Sequence, residues 1–510
     1  MKIAGIMVDL FYDDVSRMIV AFSIVVVSFG FLFSFRPQQG RPLSPWRLPF
    51  LGNLHQLTSL PHKGLHYLSQ KYGPLMLVYF GSTPYYVIST ADLAREVTKT
   101  HDYTFSNREM SNASRLLFPG CDALIFSPNS QFWRQARKIC VNELLSITRV
   151  QSFHVIIQEE VAELVAKIRF RCHDGHSAID LGSSFLTLAN DIISRTVLGQ
   201  KCTDGGNNGN GTIGQLVKQV SELLTCFSFG DFIPLLSWLD NLTGFNRKGI
   251  QISQALHAFM DRVIDEHEIH TADGQNDRKD FVHIIGELQK SDTSHQNLTR
   301  DNIKAILLDM FIAGTDTTAL SMEWTMSELA KHPSIMKKVQ DEIRGIVGEQ
   351  PNISQHDINR MEYLHCVVKE TLRLHSLSIL SRQASTDVTI GGFKLPTNSS
   401  ALINSWSIHR DPHTWDNPLE FLPDRFLNRN FDYKGQDHNY IPFGAGRRSC
   451  PGVHFAVTEV EYALANLLFW FNWELPDGMA TEDLDMSERV SLMSRKKLPL
   501  RLVPVPKSTC

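Results

Sequence analysis

The segment that most restricts what this 510-residue chain can fold into is Pro442 to Gly452, PFGAGRRSCPG. Gly444, Gly446 and Gly452 permit the positive φ angles and close approaches that a tight loop demands. Pro451 has no N–H and fixes the chain just after the cysteine. A loop of this make can aim the Cys450 sulfur at a metal while backbone N–H groups face it. Phe443 can shield one side of the sulfur, keeping water away and tuning the metal's potential. Arg448 places a cation near the site, which favours thiolate over thiol. The bland alternative is a glycine-rich turn around a structural cysteine.

The spacing Phe443-x-x-Gly446-x-Arg448-x-Cys450-x-Gly452 resembles the cysteine signature of the cytochrome P-450 family. The resemblance implies a mainly α fold with small β-sheets and haem b held through Cys450 as the axial iron ligand. Arg448 would then also meet a haem propionate. O2 and NADPH-derived electrons are the implied co-substrates, because a thiolate ligand favours O–O cleavage.

Three further segments fall in the order that family requires. Glu370-Thr371-Leu372-Arg373 resembles its Glu-x-x-Arg helix, where positions i and i+3 share one face and the charges can pair. Arg425, within FLPDRF, matches the arginine of its Pro-x-Arg-Phe motif, so a buried structural cluster of Glu370, Arg373 and Arg425 is implied. FIAGTDTTAL matches the oxygen-side helix motif as Ala313-Gly314-Thr315-Asp316-Thr317. There Gly314 lets the helix open, and a hydroxyl can bond the freed carbonyl. Thr317 would donate a hydrogen bond to oxygen and Asp316 would relay protons from bulk water. WRQAR places Trp133 and Arg137 at i and i+4, the pair that in the family contacts a propionate.

The N-terminus carries a different signal. Met18 to Phe35 contains no charge and would span roughly 27 Å as a helix, close to a bilayer's hydrocarbon thickness. Arg36, Arg41 and Arg47 follow it and Asp9, Asp13 and Asp14 precede it, so the body should stay cytosolic. The expected organisation is an anchor over 1–36, a proline-rich hinge over 37–52 and one catalytic domain over 53–510, single-pass in the endoplasmic reticulum membrane. The hinge Arg41-Pro42-Leu43-Ser44-Pro45 lacks the first proline and the glycine of the family's pattern. Eight cysteines include no Cys-x-x-Cys pair, and a chain this long needs no disulfide framework. A formal net charge of -4 leaves no basic footprint for nucleic acid.

Within the body, LMLVYF and YYVIST around GSTP predict a hairpin. Helical patterns run through 159–170, 250–267 and 301–332, and strands return over 384–396. Loops are expected at 204–214 and 271–280. By resemblance, Phe118, Leu307, Phe311, Ala313, Leu377, Ile379 and Leu492 are candidate pocket residues, and their apolar character suits a lipophilic small-molecule substrate. A plant specialised metabolite is expected, with terpenoids favoured. After His375 the family's proline-rich run is replaced by SLSILSRQ, which leaves a propionate role for Arg382 open. No flavin or nicotinamide fold is legible, so electrons should arrive from a membrane-bound NADPH–cytochrome P-450 reductase docking on the cysteine side near Lys138 and Arg447. The rival readings are an isomerase or dehydratase that uses no O2, and a non-catalytic haem sensor. Neither needs the Asp316–Thr317 pair.

Overall fold

The computed structural model describes residues 40–507 apart from 121–122, 174–176, 202–212, 273–279, 292–297, 351, 377, 428, 430 and 491–492. The run Met18–Phe35 therefore lies outside the described residues, as do most of the two expected loops and the pocket candidates Leu377 and Leu492.

Helices dominate, as expected. Those of nine residues or more are α1 (Pro61–Tyr72), α2 (Gln131–Ile139), α3 (Ile147–His173), α4 (Leu181–Leu198), α5 (Ile213–Thr225), α6 (Phe245–Ala272), α7 (Phe281–Ser291), α8 (Arg300–Gly314), α9 (Asp316–Lys331), α10 (Pro333–Val347), α11 (Glu362–His375) and α12 (Val453–Trp470). The largest sheet has the order β1 (Leu75–Phe80), β2 (Thr83–Ile88), β7 (Ser400–Asn404), β4 (Ile379–Gln383), with β2 and β7 parallel and the other pairs antiparallel. Small accessory sheets pair β5 (Val388–Ile390) with β6 (Phe393–Leu395), β9 (Glu488–Arg489) with β10 (Arg495–Lys496), and β3 (Ile179–Asp180) and β8 (Phe471–Glu474) with β11 (Arg501–Pro506).

The hairpin matches its expectation, although its second strand starts at Thr83. Both faces of the main sheet are covered, which is why LMLVYF reads as a continuous apolar run rather than an alternating one. Leu75 and Leu77 join one apolar cluster and Met76 and Val78 another on the opposite face. The strands expected over 384–396 are β5 and β6; β4 and β7, which flank them, carried too little alternation to be read.

The segment expected as one helix over 301–332 is two, broken at Thr315. Together they form the only described helix long and apolar enough to cross a membrane, but 78% of its most apolar stretch is buried within the body, so it is a core helix. Gly314 sits where α4 passes: a Cβ there would lie 2.9 Å from Ile193 Cδ1. The glycine thus serves close helix packing as well as the break. The described cysteines, at 140, 172, 226, 366 and 450, are all free thiols.

Glu370, Arg373 and Arg425 meet in the core beneath the cysteine loop. Arg373 Nε donates to Glu370 Oε2 at 2.7 Å and its Nη2 to Oε1 at 2.8 Å, while Arg425 Nε reaches Oε1 at 3.1 Å. Arg373 also donates to the carbonyls of His409, Pro418 and Glu420. Arg373→Ala strands the buried Glu370 charge, at a cost of about 3–5 kcal/mol. The expected result is a chain that accumulates without haem, measured as the ratio of Soret to protein absorbance; wild-type haem content would contradict it.

Candidate functional site

The cysteine loop leaves the core at Ile441, whose N–H donates to His409 Nε2 at 3.0 Å. Gly444 (φ 74°) and Gly446 (φ 70°) take the left-handed backbone expected of them. At Gly446 an added Cβ would also collide with Thr98 O, so the loop is pressed against the segment after β2. Gly452 differs from expectation: its φ is -91°, and a Cβ would stand an ordinary 3.9 Å from the Cys450 sulfur. What this residue supplies is its N–H, which donates to the sulfur. Cys450 N donates to Phe443 O at 2.9 Å, closing the loop.

Cys450 is enclosed by protein, yet its side chain is open to an internal cavity. Burial pushes the thiol above its ordinary value, and the Gly452 N–H with the charges of Arg137 and Arg108 opposes that rise. The cations acting on the sulfur are therefore Arg137 and Arg108 rather than the expected Arg448. Arg448 instead donates to the carbonyls of Ser106, Leu124 and Ser127 and lies 3.9 Å over the Trp133 ring. Trp133 Nε1 donates to Leu124 O at 3.0 Å, and Arg137 reaches Ser449 Oγ at 3.3 Å.

Four guanidiniums converge here: Arg108, Arg137, Arg382 and Arg448. Burial lowers every one, Arg108 to about 10 and Arg448 to about 9. Repulsion from the others in the set adds to the lowering of Arg108, Arg382 and Arg448. Asp309 acts on Arg108 and Asp102 on Arg382 as opposing carboxylates. Arg108 Nε is buried with no hydrogen-bond partner. Arg108, in SNREM, was missed because no local spacing marks it; its contacts come from Ile125, Asp309 and Cys450.

The cavity holds about 250 Å³ and is walled mostly by apolar atoms. It brings Cys450, Phe443 and Arg448 together with Ala313, Gly314 and Thr317. Thr317 Oγ1 donates to Ala313 O at 2.6 Å, the bond expected at the helix break. Asp316 faces away from the cavity and pairs with Arg495; its Oδ2 is buried without a partner. Among the described pocket candidates only Ala313 lines this cavity. Phe118, Leu307 and Phe311 are packed in the main helical core. Ile379 belongs to the far face of β4, and the adjacent Leu380 lines the cavity in its place, because neighbouring strand residues point to opposite faces. Met493 also lines it. A larger cleft of about 380 Å³, between α3 and α4, is polar and open and contains none of these groups.

This donor set suits a flat, dianionic, thiolate-ligated cofactor. A sulfur fixed by an N–H faces an apolar chamber, and a surplus of buried cations, one with an orphaned N–H, marks where carboxylates belong.

The family model described as cytochrome P-450 matches residues 42–502. The chain is 44% identical to cytochrome P-450 71A1 of Persea americana over 457 residues, covering 89% of this chain and 91% of that protein. It is likewise 44% identical to a phenylacetaldehyde oxime monooxygenase of Prunus mume over 92% of this chain and 89% of the relative. A tabersonine/lochnericine 19-hydroxylase of Catharanthus roseus is 42% identical over 93% of this chain and 94% of its own length.

His409 ties the loop to the triad, since its Nδ1 lies 3.1 Å from Arg373 O while Nε2 accepts from Ile441. Burial lowers this ring from 6.5 to about 3, so the fold refuses a proton that the unfolded chain accepts. Its stabilising contribution is full above pH 6.5 and declines as pH falls toward 3, by at most about 1.4 kcal/mol per unit. His409→Asn should lower the melting temperature at pH 7 yet lose less than wild type between pH 7 and pH 5; parallel losses would remove His409 as the cause.

Proposed function

The chain belongs to the cytochrome P-450 family of haem-dependent monooxygenases, and we propose that it inserts one oxygen atom from O2 into a lipophilic plant specialised metabolite. The observation that carries this reading is a mostly apolar cavity lined by both Cys450 and Thr317. Members of the family bind haem b and use O2 and NADPH-derived electrons.

Cys450 would ligate the iron, with Phe443 and the loop backbone keeping water from the sulfur. Arg108, Arg137, Arg382 and Arg448, with Trp133 beneath Arg448, would hold the propionates. When bound, such a haem supplies O2 activation, because thiolate ligation favours O–O cleavage. The chain's own part is protons and exclusion of water. Thr317 would turn its hydroxyl from Ala313 O toward the cavity, and Asp316 would receive protons at its unpartnered Oδ2 and pass them inward. This pair is also what disfavours the O2-independent isomerase or dehydratase and the non-catalytic sensor, neither of which needs it.

The apolar lining supports a lipophilic substrate, and terpenoid skeletons are the first class to screen. A bilayer setting is supported by exposed apolar side chains on two neighbouring segments, Leu43, Trp46, Phe50 and Leu51 with Phe227, Leu235, Trp238 and Leu242. The β1–β2 turn joins them, Gly81 N donating to Leu51 O and Ser82 N to Phe232 O. The reading is completed by an anchor over 1–36, a hinge over 37–52, a catalytic domain over 53–510 and a cytosolic stance at the endoplasmic reticulum. A reductase would dock on the cysteine side. Lys138 is exposed there and Arg447 is held by Asp102, so Lys138 is the freer charge.

Two measurements test the chemistry. Reduced, carbon-monoxide-bound wild type should show the red-shifted thiolate Soret band, absent in Cys450→Ser; a histidine-type band in wild type would end the assignment. Thr317→Ala should divert electrons to peroxide and lower product per NADPH by up to roughly 10²-fold, the low end of what a general acid–base group contributes. Unchanged coupling would take Thr317 out of the mechanism.

A further inference from the structure

One carboxylate near the arginines belongs to no motif. Asp309 stands on α8, is fully buried, and faces the loop 123–127. Its carboxylate accepts the N–H of Leu124 and interacts with that of Ile125. The carbonyls of the same loop point the other way. Leu124 O accepts from Trp133 Nε1 at 3.0 Å and from Arg448 at 3.2 Å. Ile125 O accepts from Arg108 at 2.8 Å, and Ser127 O accepts from Arg448. The peptide unit between Leu124 and Ile125 thus has its N–H end toward the carboxylate and its C=O end toward Arg448 and Trp133, an alignment that aids both.

We propose that Asp309 is a positioning residue for the cofactor: through the 123–127 peptides it sets Arg108 and Arg448, and its charge offsets part of the arginines' mutual repulsion. This rests on the reading of the cavity as a haem site. Burial raises Asp309, and the amides of Leu124 and Ile125 and then Arg108 oppose the rise, leaving the group at about 7, near the edge of ionisation. A residue that merely filled space would be replaced without consequence by its neutral isostere. Asp309→Asn keeps a carbonyl for the Leu124 N–H but loses the charge and the acceptor facing the Ile125 N–H, whereas Asp309→Glu keeps both.

The test compares haem-loaded wild type, Asp309→Asn and Asp309→Glu in the full chain. Haem release into excess apomyoglobin should be about 10- to 100-fold faster for Asp309→Asn, the usual effect of losing an outer-shell partner. Its ferric/ferrous midpoint potential should shift upward, because a negative charge near the centre is gone. Asp309→Glu should release haem at an intermediate rate with an unshifted potential. If Asp309→Asn gives no holoprotein, Asp309→Glu decides: a shifted potential there overturns the charge assignment. Wild-type release and potential in both variants overturn the proposal while leaving the haem reading intact. A wild type lacking the thiolate-type carbon-monoxide band would instead sink that underlying reading.

Discussion

Arg373 is fully buried and uses all five of its N–H donors within the protein, two on Glu370 and three on the carbonyls of His409, Pro418 and Glu420. Glu370 Oε1 also takes Leu422 N and Arg425 Nε. A helix whose sequence is otherwise unremarkable is thereby clamped to a long irregular stretch that has little regular structure to hold it. The clamp continues outward, since His409 binds the backbone of Arg373 on one side and of Ile441 on the other. The cysteine loop hangs from Ile441. Its backbone, rich in glycine and poor in regular hydrogen bonds, can hold a sulfur in place only because the segment before it is tied to saturated buried charges.

The arginines on the other side of the sulfur obey the opposite accounting. Arg373 has a full set of partners and a carboxylate beside it. Arg108 has a buried N–H with none, and burial followed by repulsion from Arg108 lowers both Arg382 and Arg448. A buried charge without compensation is costly, which supports the proposal that an anionic group completes this set. Arg373 has spent every donor inside the body, whereas Arg108, on the proposed reading, keeps one for a ligand. That distinction rests on donor counts and cannot be drawn from residue type.

It also marks where sequence stops informing. The Glu370–Arg373 pair was legible because three residues on a helix bring the charges together, whatever the rest of the chain does. The cysteine loop was legible because glycine and proline constrain backbone locally. Asp309 and Arg108 were not, since their meaning depends on a loop 185 and 17 residues away. Phe118, Leu307 and Phe311 are pocket candidates by resemblance alone, and here they pack in the core, because an apolar side chain on a core helix has far more core than cavity to face. Ile379 was off by one: in a strand a single step reverses the face, and only the pairing of Leu380 with Ile403 fixes which side meets the cavity.

The cavity's shape follows from two departures from helical regularity placed close together. At Gly314 the missing side chain lets Ile193 of α4 approach, which closes one flank of the helix. At Thr315 the helix breaks, and the Thr317 hydroxyl takes the carbonyl of Ala313, which keeps Ala313, Gly314 and Thr317 on the cavity wall. Asp316, one step around, is turned out and held by Arg495 of β10. That strand follows directly on Met493, which touches the cavity, and Ser494, whose carbonyl accepts Trp324 Nε1 of α9 at 2.7 Å. Met493 on the cavity wall and Arg495 on Asp316 are two residues apart, so the wall and the ion pair that holds the carboxylate share one short stretch of backbone.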